Sequence, residues 1–222
     1  MRLQRCLVAG VLAMGGMMSA ATADAALIRM TMQVNVTSSN MGAFPIGQAF
    51  SMVWTYESSG SPQFIANRQA FYVDHFRSIS ITCGAWTASD SGAFGQINKY
   101  DNLSGFDGIQ FQVAAVPGTY QFTNPKPDTV SFANAPNGDA FSNMFINYGA
   151  NNSNVWNNYA LPESYNFVAF DQTINFNFSF TNGGFSGGFT NMQAEVIPSP
   201  ASAGLLVVAG AAAMRRRRGV GR

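Results

Sequence analysis

Charge is what this sequence has least of. Asp, Glu, Lys and Arg make up 10% of its 222 residues, where an ordinary soluble domain carries about a quarter. Seven of the twelve basic residues (Arg2, Arg5, Arg215, Arg216, Arg217, Arg218, Arg222) sit at the extremes, so Ala26–Ile197 holds five basic against ten acidic side chains. A net-acidic body without a basic stripe argues against nucleic acid as a partner. Histidine occurs once, at His75, and cysteine twice, at Cys6 and Cys83. One His and one Cys cannot build a structural zinc site. If Cys6 leaves with a leader, Cys83 has no internal disulfide partner. His75 directly follows Asp74, and neighbours on an extended strand face opposite sides, so these two do not form an acid–histidine relay. Gly184-Phe185-Ser186-Gly187-Gly188 matches Gly-x-Ser-x-Gly by letters alone; it lies in a Gly-Gly-Phe repeat with no helix following, so it does not read as a nucleophile elbow. Glutamate occurs only at Glu57, Glu163 and Glu195, and no spacing marks two of them as a glycosidase pair. Helical periodicity is also missing beyond about two turns anywhere in the body.

What is abundant is Phe (19), Gly (22) and Asn, which recurs twenty times between Asn35 and Asn191. Surface polarity must therefore come from Asn, Ser, Thr and Gln, a balance that suits an extracellular β protein.

The two ends differ from the body. In Met1–Ala25, Arg2 and Arg5 precede an apolar run through Met18, and Ala23-Asp24-Ala25 places small residues where a signal peptidase reads. Cleavage before Ala26 is expected. At the other end Pro198-Ser199-Pro200 precedes the apolar run Ala201–Met214, followed by Arg215–Arg218. Fourteen helical residues reach about 21 Å, short of a hydrocarbon core of about 30 Å. Four arginines would stay on the cytoplasmic side and stop translocation there. A simple membrane anchor is the plain reading of this tail.

The order of its parts also resembles the PEP-CTERM sorting signal, carried here by Pro198, Ser199, Pro200, Ala201, Gly204, Leu205, Leu206, Gly210 and Arg215–Arg218. Ser199 stands where that family usually has Glu. The resemblance covers about the last twenty-five residues. It implies a bacterial exported protein processed by an exosortase, a membrane-embedded cysteine protease, in organisms that typically make exopolysaccharide. It implies a destination and no activity.

Within residues 26–197, hydrophobic alternation has the strand period of two. Ile28, Met30, Met32, Val34 and Val36 share one face, as do Ile174, Phe176, Phe178 and Phe180. Ile79, Ile81, Cys83 and Ala85 repeat the pattern, as do Ile109, Phe111, Val113 and Ala115. Further strands are expected over Phe50–Tyr56, Ala70–His75, Thr129–Ala133, Tyr165–Phe170 and Met192–Ile197. Turn chemistry separates them at Ser58–Pro62, Ser89–Gly92, Asn134–Gly138 and Asn182–Gly184. The fold class is all-β: an antiparallel β-sandwich, with a partly open barrel as the alternative. One domain spans residues 26–197, flanked by a signal peptide (1–25) and a sorting segment (198–222).

Candidate ligand-binding residues are Trp86 and Trp156 with Tyr148 and Tyr159, aromatics of the kind that pack on sugar rings. Trp54 alternates with Met52 and Tyr56 and reads as core. Trp86 falls opposite the Cys83 face, and Trp156 lies in the Asn-rich loop 147–159, the place expected for ligand-facing surface. Asp101 and Asp107 flank a loop of oxygen donors and are candidate calcium ligands; no other cofactor is expected. Gly183–Phe189, with its Gly-Gly-Phe repeat, reads as a hairpin or bulge anchored by Phe. The expected function is a non-catalytic cell-surface or matrix protein with a structural or adhesive role. A carbohydrate-binding module for exopolysaccharide is the alternative, and a secreted hydrolase the third reading. The expected partners are signal peptidase and an exosortase-like protease. Intact-mass analysis of the exported form should show a chain that starts at Ala26 and stops near Pro198–Ala201. A secreted product still carrying Arg215–Arg218 would remove the sorting reading.

Overall fold

The computed structural model describes residues 26–116, 120, 127–151, 155–167, 170, 172–188 and 192–197. The leader and tail, with Ala23, Ala25, Pro198, Ser199, Pro200 and Arg215–Arg218, lie outside the described residues. Eleven strands follow in order: β1 (Leu27–Asn35), β2 (Ser38–Ser39), β3 (Ala49–Glu57), β4 (Phe64–Ala66), β5 (Gln69–Cys83) and β6 (Trp86–Leu103), then β7 (Phe106–Ala114), β8 (Phe141–Ala150), β9 (Gln172–Phe180), β10 (Gly183–Gly188) and β11 (Met192–Ile197). All pairings are antiparallel and join one sheet, ordered β11-β1-β3-β5-β6-β7-β8-β9-β10-β2, with β4 beside β5. The all-β, antiparallel expectation holds, and the sheet curls into a half-barrel. This connectivity is the partly open barrel; the layering of a sandwich persists in the way opposite walls pack.

Short turns drive the meander. Asn67 and Arg68 both take positive φ (49° and 63°) in the two-residue turn from β4 to β5, the backbone that a tight hairpin requires. Ser104-Gly105 does the same between β6 and β7. Gly84-Ala85 links β5 to β6, so Cys83 pairs directly with Trp86.

The β5–β6 ribbon is long, at 15 and 18 residues, and it bends. Its register slips twice between Val73 and Ser78, where Asp74 takes φ 59°. Opposite lie Gly92 (φ 123°) and Gly95 (φ 73°). One half of the ribbon, Phe76–Cys83 with Trp86–Ser91, runs beside β3; the other half, through Gln96–Tyr100, runs beside β7. Bulges with left-handed residues raise local twist and let a strand change direction.

The two flanks of the sheet meet. β11 pairs with β1 and β10 pairs with β2 in a common register: six residues separate Met32 from Ser38, and six separate their partners Met192 and Ser186. The Thr37 N–H donates to the Ser186 carbonyl at 3.0 Å between the two ladders.

Inside the curl the rings cross from wall to wall. Phe50 on β3 stacks on Phe176 of β9 with centroids 4.7 Å apart, and Trp54 meets Phe111 of β7 edge-on at 5.4 Å. Trp86 contacts Phe180 at 5.5 Å, and Phe178 lies parallel to Phe185 at 4.9 Å. Each buried ring contributes about 1.5–3 kcal/mol by leaving water, and each good ring pair about 0.5–1.5 kcal/mol more.

Four segments depart from the sequence reading. The described residues of Tyr165–Phe170, expected as a strand, lie in none; Tyr165, Phe167 and Phe170 pack on Tyr148 instead of joining a ladder. Ser89–Gly92 is not a turn but lies inside β6, because β5 offers a matching ladder along that length. Residues 129–133 run extended outside the ladder, held by Val130 N–H to the Ala114 carbonyl at 3.0 Å. Residues 147–150, taken as the start of a loop, complete β8. The corner yields a comparison. A Cβ on Gly95 would sit 2.8 Å from the Phe76 ring and 2.9 Å from Val113, whereas one on Gly105 would meet nothing within 4 Å. Gly105→Ala should cost about 1 kcal/mol for its left-handed φ, and Gly95→Ala about 3 kcal/mol or more because overpacking adds to it; urea denaturation midpoints measure both.

Candidate functional site

The residues singled out from sequence divide into two groups. Trp86 is 3% exposed, packs on Phe44, Phe178 and Phe180, and donates its Nε1–H to the Ala133 carbonyl at 3.1 Å. It lies on the Cys83 face rather than opposite it, because a two-residue turn between paired positions keeps both side chains on one side. A core indole cannot stack on a sugar. Cys83 is buried beside it, and desolvation pushes its thiol up to about 11, so it is an inert core thiol.

Tyr148, Trp156, Tyr159 and Asp107 do come together, at one end of the half-barrel. The described parts of residues 155–170 form a strap fastened by groups on the strands. Asp107, fully buried, accepts from the Asn102 N–H at 2.6 Å through one oxygen, and from the Val155 and Trp156 N–H groups at 2.9 Å each through the other. Lys99, 1% exposed, donates to the Asn158 side chain and the Ala160 carbonyl, with its Nζ 4.7 Å from the Trp156 ring centroid. Burial lowers the Lys99 pKa to about 8 against the opposing pull of Asp101 and Asp107. The Tyr72 hydroxyl donates to the Tyr159 carbonyl, and the Tyr56 hydroxyl to the Pro162 carbonyl at 2.6 Å. Tyr148 is 2% exposed, beneath Tyr165, Phe167 and Phe170, and its hydroxyl reaches the Met192 sulfur.

This cluster is a plug. The expected ligand-facing loop is tied down by a carboxylate, an ammonium and two phenols, and Trp156 is half-buried under a cation and against Phe170. The calcium reading of Asp101 and Asp107 meets a contrary donor pattern. Both Asp107 oxygens face N–H donors, whereas a calcium ligand must turn its oxygens to the cation. Among the described residues no three His, Cys, Asp or Glu side chains gather.

Several other ionisable groups among the described residues are engaged structurally. His75 is buried within β5 instead of at a strand end; its Nδ1 lies 3.2 Å from the Glu57 carbonyl, and desolvation lowers its pKa. Glu57 pairs with Arg77, Glu195 with Arg29, and Glu163 accepts from Ser58.

A second arrangement was invisible as a motif. On the sheet face opposite the aromatic core, side-chain amides on four strands form a head-to-tail ladder, buried at its Asn98 end and half-buried from Gln110 to Asn175. Asn98 donates to Gln110 at 2.8 Å, Gln110 to Asn147 at 2.9 Å, and Asn147 to Asn175 at 3.0 Å. These residues occupy one register row across β6, β7, β8 and β9. In the next row Phe145 sits between Gln112 and Asn177, with Asn143 and Asn147 two residues away on its own strand. Phe145 points away from the core and is half-buried. Beside it, β9, β10 and β2 floor an open groove of ≈ 390 Å³ lined by Asn177, Ser179, Ser186, Ser38, Ser39 and Asn40. Gly183 and Gly184 add no side chain of their own there, and the Asn40 side chain packs against Gly183. A wider groove of ≈ 550 Å³ lies over β1 and β3 at Gln33, Asn35, Ser51 and Thr82; its described lining presents no outward aromatic ring.

The plug supports a test. Asp107→Ala orphans three backbone donors and should lower stability by about 3–5 kcal/mol, with hydrogen exchange at the Val155 and Trp156 amides accelerating more than at β9. No family model, curated protein or solved structure matches the chain.

Proposed function

We propose that this chain is an exported, non-catalytic protein of the cell surface or extracellular matrix with a structural or adhesive role. The observation that carries the reading of the body is the amide ladder of its outer wall. A surface built from Asn, Gln and Ser gains its polarity without titratable groups. Such a surface makes many weak hydrogen bonds over a wide area, the behaviour of an adhesive or scaffold rather than of a reaction centre, which concentrates perturbed ionisable groups in a cleft. Among the perturbed groups here, Lys99 and the Tyr56, Tyr72, Tyr148 and Tyr165 phenols serve the plug, and Asp74 and His75 the corner.

The destination rests on the ends of the sequence: an apolar leader ending Ala23-Asp24-Ala25, and the Pro198-Ser199-Pro200, apolar and Arg215–Arg218 order of the tail. In this reading signal peptidase removes the first and an exosortase-like protease processes the second. Because Leu27 pairs with Ile197, both ends leave the body at one place, which suits a domain delivered from a membrane. Fractionation of producing cells tests the proposal: the wild-type chain should be recovered from the surface or matrix fraction. Replacing Arg215–Arg218 with serines should shift it away from that fraction. Recovery of the wild-type chain in the cytosol would overturn it.

A further inference from the structure

We infer that the outer wall around Phe145 is a binding site for a neutral carbohydrate chain, with Phe145 as the stacking platform and the β9–β10–β2 groove as its polar extension. The inference rests on the surface reading only for its choice of an extracellular partner; the site itself stands on geometry. Phe145 is an outward ring, framed on the sheet by Gln112, Asn143, Asn147 and Asn177. It belongs neither to the core nor to a ring pair among the described residues. Phe145 is half-buried on the sheet face opposite the core, and the polarised C–H face of a pyranose matches the negative face of such a ring.

The surroundings select the ligand class. Neither the frame of Phe145 nor the groove lining contains an ionisable side chain, so a phosphate, a uronate or a basic peptide would meet no counter-charge. Amides and hydroxyls supply both donors and acceptors, as a polyol requires. Their capacity is only partly used. Asn177 Oδ1 accepts from Ser179, Asn40 Oδ1 accepts from the Gly184 N–H, and Asn175 Oδ1 accepts from Asn147. The Nδ2 groups of Asn177, Asn40 and Asn175 are left unpaired among the described residues. Asn175 is the donor end of the ladder, and in a chain of aligned amides each bond polarises the next, which strengthens the terminal donor.

Size agrees as well. The row Phe145, Asn177, Ser186, Ser38 crosses three inter-strand steps, about 14 Å at about 4.8 Å per step, the reach of an oligosaccharide rather than of a single sugar. The groove volume falls within the range of small-ligand clefts.

Isothermal titration of the purified full chain with four neutral hexamers, of β-1,4-glucan, β-1,3-glucan, α-1,6-glucan and β-1,4-mannan, tests the site, with hexagalacturonate as the charged counterpart. At least one neutral hexamer should bind, and hexagalacturonate should not. Phe145→Ala and Asn177→Asp should each weaken binding about tenfold or more, while Ile46→Ala, an exposed apolar residue elsewhere, should leave it unchanged. Binding to none of the four, equal binding by Phe145→Ala, or preference for the uronate would each overturn the inference. So would a concentration-dependent dimer abolished by Phe145→Ala without glycan binding, which would assign the face to a second copy of the chain. These outcomes are independent of the fraction in which the protein is recovered, so the site and the surface role fail separately.

Discussion

The bend in the β5–β6 ribbon is the constraint on which the other features depend. A long two-stranded ribbon twists readily but resists turning a corner, because each ladder bond fixes the next. Here the turn is made where Asp74 adopts a left-handed backbone and Gly95 faces it with no room for a side chain. With the corner made, β3 and β7 become opposite walls, and Trp54 can meet Phe111 while Phe50 meets Phe176. Without it, the same alternating strands would give a flatter sheet with one phenylalanine-rich face toward water. The core is therefore a product of the bend as much as of hydrophobicity.

The outer wall answers the shortage of charge in a different way. Asn and Gln are poor strand formers on their own, since their side chains compete for the backbone. Set in register across four strands, they bond to each other and stop competing. Gln96 and Asn98 are fully buried in this wall, and Gln96 donates to Asn98. A polar side chain that would cost stability alone becomes part of the lateral cohesion of the sheet.

Much of the fold was legible, for an identifiable reason. Where alternation was clean, as in Ile28–Val34 and Phe176–Phe180, the strand and its buried face are as the pattern implies. Trp54 and Cys83 lie in the core as their neighbours suggested. The failures share a cause: local composition hid a non-local ladder. β6 carries Ser, Asp and two glycines and reads as a turn, yet β5 pairs with it along most of its length. β8 alternates Met144, Ile146 and Tyr148 with Asn143, Phe145 and Asn147, but its asparagines gave it the look of a loop. Trp86 changed sides because Gly84 begins a reversal there, and that glycine was the available signal. The amide ladder was beyond reach, since register between β7, β8 and β9 is not encoded in any short window. Phe145 was hidden with it, as one phenylalanine among nineteen.

The joining of β1 to β11 governs how this molecule must come into being. A strand near the start of the body finds one of its neighbours only in the final six residues before Pro198. Loop closure over so long a stretch is entropically expensive and slow. While the last strand is still emerging, β1 retains an open edge and the shell stays unsealed. The polypeptide consequently remains threadable until synthesis of the domain is finished, and its native state is locked from the far end backwards.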